Sequence, residues 1–313
     1  MTALASDDGQ LGRWRQRLAR WRRAMGAIIK LATVSKYERS DIFALLAELM
    51  KLTPAERKFI FSMESGSLPI GRTNESTRDA WVKMALSSLP AGTRLLDAGA
   101  GECIYKGYCA HLRYVAQDFG KYDGSGDIGL QTGSWDTSRI DIVSDIIDIP
   151  EPDASFDAIL CTEVLEHVPE PVAVLKELAR LLRAGGTLIV TAPFCSNTHF
   201  APYHYATGFN RYFYEIHLPK LGFDIIEMVT NGNFFDFSAQ QLRQVEGYAD
   251  RYARYRPTHL ERYATQIMLA MLDRVAKRDE GSAESLNCGL HVRAVKRPTG
   301  PRASREIVEG DDA

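Results

Sequence analysis

Two histidines five residues apart, His199 and His204, stand in a stretch that also carries Tyr203 and Tyr205. Imidazole is the side chain best suited to taking a proton near neutral pH. A phenol beside it can hydrogen-bond an acceptor or face a cation. The same histidines also serve as ordinary loop-capping side chains, with an apolar body and a polar tip. A second group of residues is suited to holding a ligand. It begins with Asp97, Gly99 and Gly101, read as Asp-x-Gly-x-Gly, and continues with Asp118 and Asp145. The glycines let backbone come close to a ligand because no Cβ intervenes. A carboxylate about 20 residues past such a turn, at the tip of the neighbouring strand, is where vicinal hydroxyls are gripped in a doubly wound sheet. Together these residues describe a nucleoside site. Glu163 and His167 are four apart and would share a helix face, either as an ion pair or as a contact and a further base.

The elements that must position these residues are legible as short apolar runs. They lie at Leu95-Leu96, at Tyr114-Val-Ala, at Ile140-Asp-Ile-Val, at Phe156-Asp-Ala-Ile-Leu-Cys, at Gly185-Gly-Thr-Leu-Ile-Val, at Phe223-Asp-Ile-Ile and at about Asn287 to Lys296. Helical patterns separate several of them, from about Glu75 to Leu89 and up to Leu221, and the first glycine turn is expected to feed a helix whose free N–H groups favour a polar ligand. The fold expected is α/β: a Rossmann-like, seven-stranded, mostly parallel sheet with helices on both faces. A dinucleotide site would want Gly-x-Gly-x-x-Gly, and position 104 is Ile.

These motifs resemble the class I S-adenosylmethionine-dependent methyltransferases over roughly Glu75 to Arg297. Thr162-Glu-Val-Leu-Glu-His-Val and Leu181-Leu-Arg-Ala-Gly-Gly-Thr-Leu are similar to the small-molecule branch, which includes quinone-pathway enzymes. The resemblance implies S-adenosyl-L-methionine as cofactor. It implies Asp97 near the methionine end, Asp118 at the ribose hydroxyls, Asp145 at the adenine amino group, Phe119 and Ile146 as further cofactor contacts, and Glu163 and His167 lining the methyl end. Cys103 stands where many members carry a third glycine. Tyr114-Val-Ala-Gln-Asp-Phe-Gly, Gly129-Leu-Gln-Thr-Gly-Ser-Trp-Asp and Asn231-Gly-Asn-Phe-Phe also resemble bacterial methyltransferases encoded among polysaccharide-assembly genes. The activity implied is methyl transfer to a small-molecule or glycan hydroxyl, with His204, His199, Tyr203 and His167 as candidates for the acceptor side. The alternatives are an N-methyltransferase of a small amine and a cofactor-binding scaffold without turnover. Without Asn-Pro-Pro-Tyr or a Pro-Cys nucleophile, adenine-N6, glutamine and cytosine-C5 methylation are disfavoured.

Composition sets the remaining expectations. The 313 residues carry a net charge of −2, which predicts no general affinity for nucleic acid. Five scattered cysteines without Cys-x-x-Cys read as buried free thiols in a reducing, cytoplasmic compartment. Two histidines without a carboxylate at ligand spacing do not close a coordination shell, so no metal is expected. Residues 1–70 read as an N-terminal helical extension. Within it Arg13, Arg15, Arg17, Arg20, Arg22 and Arg23 accompany Trp14, Leu18, Trp21, Met25 and Ile28 at helical spacing. Such a basic amphipathic helix lies on anionic lipid at the inner membrane surface, or docks on its own domain or a partner; the Arg22-Arg23 pair is not read as an export signal. Residues 71–297 form the methyltransferase-like domain, with a helical insertion at about 234–282 for substrate or subunit contact, such as a homodimer. Residues 298–313 read as a disordered tail.

Overall fold

In a computed structural model of the chain, residues 68–122 and 135–298 are described. By its contacts the chain divides into two units, Met1–Ser67 with Thr258–Gln266, and Leu68–Pro257 with Ile267–Ala313. The basic amphipathic segment and the charged tail lie outside the described residues. Of the first unit only 258–266 is described. There Thr258 and Glu261 cap a helix reciprocally: the Thr258 amide donates to the Glu261 carboxylate at 2.7 Å, and the Glu261 amide to the Thr258 hydroxyl at 3.3 Å.

The second unit is built on seven strands: β1 (Arg94–Ala98), β2 (Arg113–Asp118), β3 (Ile142–Val143), β4 (Phe156–Thr162), β5 (Leu182–Pro193), β6 (Phe223–Asn231) and β7 (Gly289–Lys296). Their order across the sheet is β3-β2-β1-β4-β5-β7-β6. All neighbours are parallel except β7, which runs antiparallel to both β5 and β6. Strands covered on both faces read as unbroken apolar runs, and Ile159, Leu160 and Cys161 of β4 are all fully buried. Helix α1 (Asn74–Ser87) covers one face through Trp81, Val82, Ala85 and Leu86, which meet Leu95, Leu160 and Ile189. Helices α2 (Pro171–Leu181) and α3 (Arg211–Lys220) cover the other through Leu175, Leu178, Tyr214 and Leu218. α2 begins on Pro171, where a missing N–H costs no hydrogen bond.

The helix expected after the first glycine turn is absent. Between β1 and β2 the chain makes tight turns and a single 3₁₀ turn at Lys106–Tyr108. Gly99, Gly101 and Cys103 all adopt positive φ, at 75°, 50° and 57°. Three left-handed residues in five cannot propagate a right-handed helix. The insertion expected at 234–282 is helical: α4 (Phe234–Tyr248), a π-helical turn at Ala249–Ala253, and α5 (His259–Ala276). Within the second unit, Leu269 and Leu272 of α5 pack with Ala239 of α4 and Ile70. All five cysteines are free, and Cys103, Cys109, Cys161 and Cys288 are buried. Among the described residues no helix is long and apolar enough to cross a membrane.

Candidate active site

β1 sits between β2 and β4, so successive connections leave it in opposite directions and open a crevice at the carboxyl edge. Asp97 and Asp118 converge there. Asp118 is buried at the tip of β2. One of its carboxylate oxygens accepts the Gly101 amide at 3.0 Å and the other the Gly120 amide at 2.8 Å. Each oxygen keeps a lone pair. Gln117, fully buried, accepts from the Gly99 amide at 3.2 Å and donates to the Ser144 carbonyl at 2.8 Å, tying the glycine turn to the chain after β3. Asp97 is 1% exposed and accepts the Tyr114 hydroxyl at 2.5 Å. Burial pushes its pKa up to about 7, against the Tyr114 hydrogen bond and with help from the Asp118 charge. The turn has no room for side chains: a Cβ on Gly99 would come within 2.5 Å of Val164, and one on Gly101 within 2.3 Å of the Trp135 ring.

The other cofactor candidates are used differently. Asp145 follows β3 as an exposed residue whose carboxylate accepts the Ile147 amide at 3.2 Å. Ile146, another cofactor candidate, is buried in the core with Ile149. Glu163 is not helical with His167, because its φ of +52° precedes the 3₁₀ turn Leu165–His167. Its carboxylate is committed to Arg78 of α1, at 3.2 Å, and to the Thr191 hydroxyl, at 2.8 Å. Arg78 was not singled out in the sequence, and nothing local signals a pairing across 85 positions. Although burial opposes its charge, Glu163, Tyr105 and Asp79 hold its guanidinium above the ordinary arginine range.

The loop after β5 closes at its base, where the Phe209 amide donates to the Pro193 carbonyl at 2.8 Å and the Ser196 amide to the Thr207 carbonyl at 2.6 Å. It docks on the turn after β4: the amides of Tyr205 and Ala206 donate to the Glu166 carbonyl, at 2.9 and 3.2 Å, and His167 Nδ1 meets the Tyr203 carbonyl at 2.6 Å. α4 braces it from the insertion, since Gln241 and Gln244 accept from the Asn197 amide group at 3.2 and 2.6 Å. This brings the loop against Phe119, the residue after Asp118, and against Tyr122 and Trp135. Tyr203 lies edge-on to Phe119 with centroids 5.0 Å apart, and Phe200 stacks on Tyr122 at 3.6 Å while meeting Trp135.

Docking the loop also gathers His167, His199 and His204, whose ring centroids lie 4.7, 4.9 and 5.7 Å apart. The metal-free expectation counted only the two loop histidines; the third arrives from the β4 turn, with the buried carboxylate of Glu166 beside it. Burial takes His167 down to about 3, and burial with the neighbouring His199 lowers His204. Glu166 is fully buried, and burial followed by the Glu163 charge raises its carboxyl well above the usual carboxylate range.

Residues 96–190 match the family described as "Methyltransferase domain". Curated relatives include a "Ubiquinone biosynthesis O-methyltransferase" of Xanthomonas oryzae pv. oryzae, 35% identical over 105 residues, which are 32% of this chain and 43% of the relative. A protein of that name from Xylella fastidiosa is 44% identical over 63 residues, 20% of this chain and 25% of the relative. The chain thus spans less than half the length of these relatives. Among solved structures, the [4+2]-cyclase SpnF aligns with a TM-score of 0.43 at 19% identity, covering 70% of this chain and 81% of that one. The phosphoethanolamine N-methyltransferase 2 of Haemonchus contortus in complex with S-adenosyl-L-methionine aligns with a TM-score of 0.41 at 16% identity, covering 71% and 53%. The residues present fit a nucleoside with a charged amino-acid arm, since the glycine cradle admits no Cβ and Asp118 has a free lone pair on each oxygen. Residues 96–190, the stretch that holds Asp97, the glycine turn and Asp118, are where the chain is similar to the methyltransferase-domain family.

Proposed function

We propose that this chain transfers a methyl group from S-adenosylmethionine to a hydroxyl of a small molecule or glycan, with a histidine of the β5 loop taking the acceptor's proton. The observation that carries the reading is Asp118. Two backbone amides fix its carboxylate at the crevice and leave one acceptor site per oxygen, which suits the two vicinal hydroxyls of a ribose. The cofactor, when bound, supplies an electrophilic methyl on a sulfonium. Asp97, at the methionine end and with its pKa pushed up by burial, offers an acceptor to an ammonium group. The loop, docked on the β4 turn and on Phe119, is placed to orient the acceptor, which in-line displacement requires. His204 is the first choice for the proton, since its two ring nitrogens are buried without a partner, and His199 is the second, with Nδ1 on the Asn197 carbonyl at 2.9 Å. The names of the curated relatives support oxygen over nitrogen as acceptor atom. The glycan option rests on the resemblance to methyltransferases of polysaccharide assembly.

Calorimetry with S-adenosylhomocysteine tests the cofactor grip. Asp118→Ala should weaken binding by about 1.5–3 kcal/mol per charge-assisted bond lost, tenfold or more. Unchanged affinity in a folded variant removes the ribose role. The acceptor is found by incubating the protein with methyl-labelled cofactor and a cell extract and identifying the labelled product by mass spectrometry. On that acceptor, His204→Ala should slow turnover by about 100- to 10,000-fold while leaving cofactor affinity intact. Near-wild-type turnover in both His204→Ala and His199→Ala overturns the base assignment, leaving His167 as the next base or an amine acceptor that arrives neutral.

A further inference from the structure

We infer that His167, His199 and His204, with the buried carboxyl group of Glu166 beside His167, form a binding site for a divalent transition-metal ion. The ligand atoms of the three histidines lie within 4.8 Å of one another. Two of the rings are already oriented as ligands. His167 Nδ1 lies 2.6 Å from the Tyr203 carbonyl and His199 Nδ1 lies 2.9 Å from the Asn197 carbonyl, so in each neutral ring Nδ1 carries the proton and Nε2 presents its lone pair. Backbone carbonyls that fix the tautomer in this way are the usual outer support of metal-binding imidazoles. The third ring, His204, has both nitrogens buried and unpartnered.

The contact between His167 and Glu166 points to a cation most directly. Glu166 Oε1 is 3.6 Å from His167 Nε2, and neither carboxylate oxygen of this fully buried side chain has a hydrogen-bond partner. A lone pair therefore faces a carboxylate across a gap too long for a hydrogen bond. A buried carboxyl group without a partner is costly; a cation held by the imidazoles beside it would offset that cost. Three imidazoles with an open fourth position suit zinc and its first-row neighbours, whereas magnesium and calcium prefer oxygen. The Tyr214 hydroxyl, also buried without a partner and within electrostatic reach of Glu166, extends the unsatisfied polar set on the side of α3.

The site stands independently of the methyl-transfer reading, which it would refine by making an ion, and not a free imidazole, the group that acidifies an acceptor hydroxyl. The test uses the full chain without cofactor. It is stripped with a chelator, titrated with Zn²⁺ by competition against a chromophoric chelator, and separately loaded with Co²⁺ to read the visible absorption of the bound ion. One Zn²⁺ per chain is expected, with an absorption envelope of nitrogen and oxygen ligands, and His199→Ala and His204→Ala should each weaken binding by at least about 100-fold. Glu166→Gln should weaken binding and alter the Co²⁺ spectrum without unfolding the chain. Absence of stoichiometric Zn²⁺ binding, or affinity unchanged in the His199→Ala/His204→Ala double variant, overturns the inference. S-adenosylhomocysteine calorimetry on the same stripped samples separates the outcomes: loss of metal binding with intact cofactor affinity refutes the metal site alone, and the reverse refutes the cofactor reading alone.

Discussion

A single carboxylate shows how much the crevice asks of its residues. Asp97 has almost no contact with solvent, and the Tyr114 hydroxyl is its one neutral donor in the described contacts. Its folded-state pKa, pushed up to about 7, lies above the ordinary carboxylate value. Between about pH 4 and 7 the folded chain therefore holds a proton that the unfolded chain has released, and stability falls as pH rises through that window. Asp97→Asn removes the titration. The stability difference between variant and wild type should shift in the variant's favour from pH 5 to pH 8, by on the order of 1–4 kcal/mol, in urea unfolding at the two pH values. A difference that stays constant would mean that Asp97 is ionised throughout, held by a charge this structure does not place beside it. The same variant should bind S-adenosylhomocysteine more weakly at pH 8, where the wild-type carboxylate is charged.

At the scale of elements, the strands were legible because burial on both faces writes itself as apolar runs, and the acids at their tips were legible because they end those runs. The helix after β1 was misread, since a glycine turn looks the same whether or not a helix follows, and the left-handed backbone at Cys103 is not written in its side chain. Glu163 and His167 look like helical neighbours in sequence; their true partners, Arg78 and the Tyr203 carbonyl, come from distant segments. Glu166 was passed over because a glutamate between Leu165 and His167 gives no sign in sequence of being fully buried. The insertion was recognisable by length, and its role in bracing the β5 loop through Gln241 and Gln244 was not. That bracing depends on α4 starting cleanly. Asn233 accepts from the amides of Phe235 and Asp236, and Asp236 accepts from the Asn233 amide. Asn233→Ala should cost about 1 kcal/mol of stability in urea unfolding. It should also raise the hydrogen-exchange rate of the first turn of α4, whereas an unaltered rate would place the start of the helix under tertiary control alone.

For the whole molecule, the second unit contains the sheet, the crevice and the loop, so its integrity should not need the basic segment. Deleting the residues before Lys36 is expected to leave cooperative unfolding and S-adenosylhomocysteine affinity in place and to abolish binding to anionic vesicles. Equal vesicle binding by the truncated chain would remove the lipid-contact expectation. The antiparallel β7 has a separate consequence. Because it returns beside β6, Asn231 and Gly289 are register partners, and everything at 232–288 leaves and re-enters the sheet at one point. Asn231 anchors that point to α1, donating to the Asn74 carbonyl at 2.8 Å and accepting the Thr77 hydroxyl at 2.5 Å. Closing a long flexible loop there costs only about 2 kcal/mol more than closing a hairpin of a few residues, because the entropy grows with the logarithm of length. The sheet therefore tolerates nearly any excursion between these two residues. The insertion can vary in length at little entropic cost to the sheet, and what such variation changes is the support that Gln241 and Gln244 lend the β5 loop.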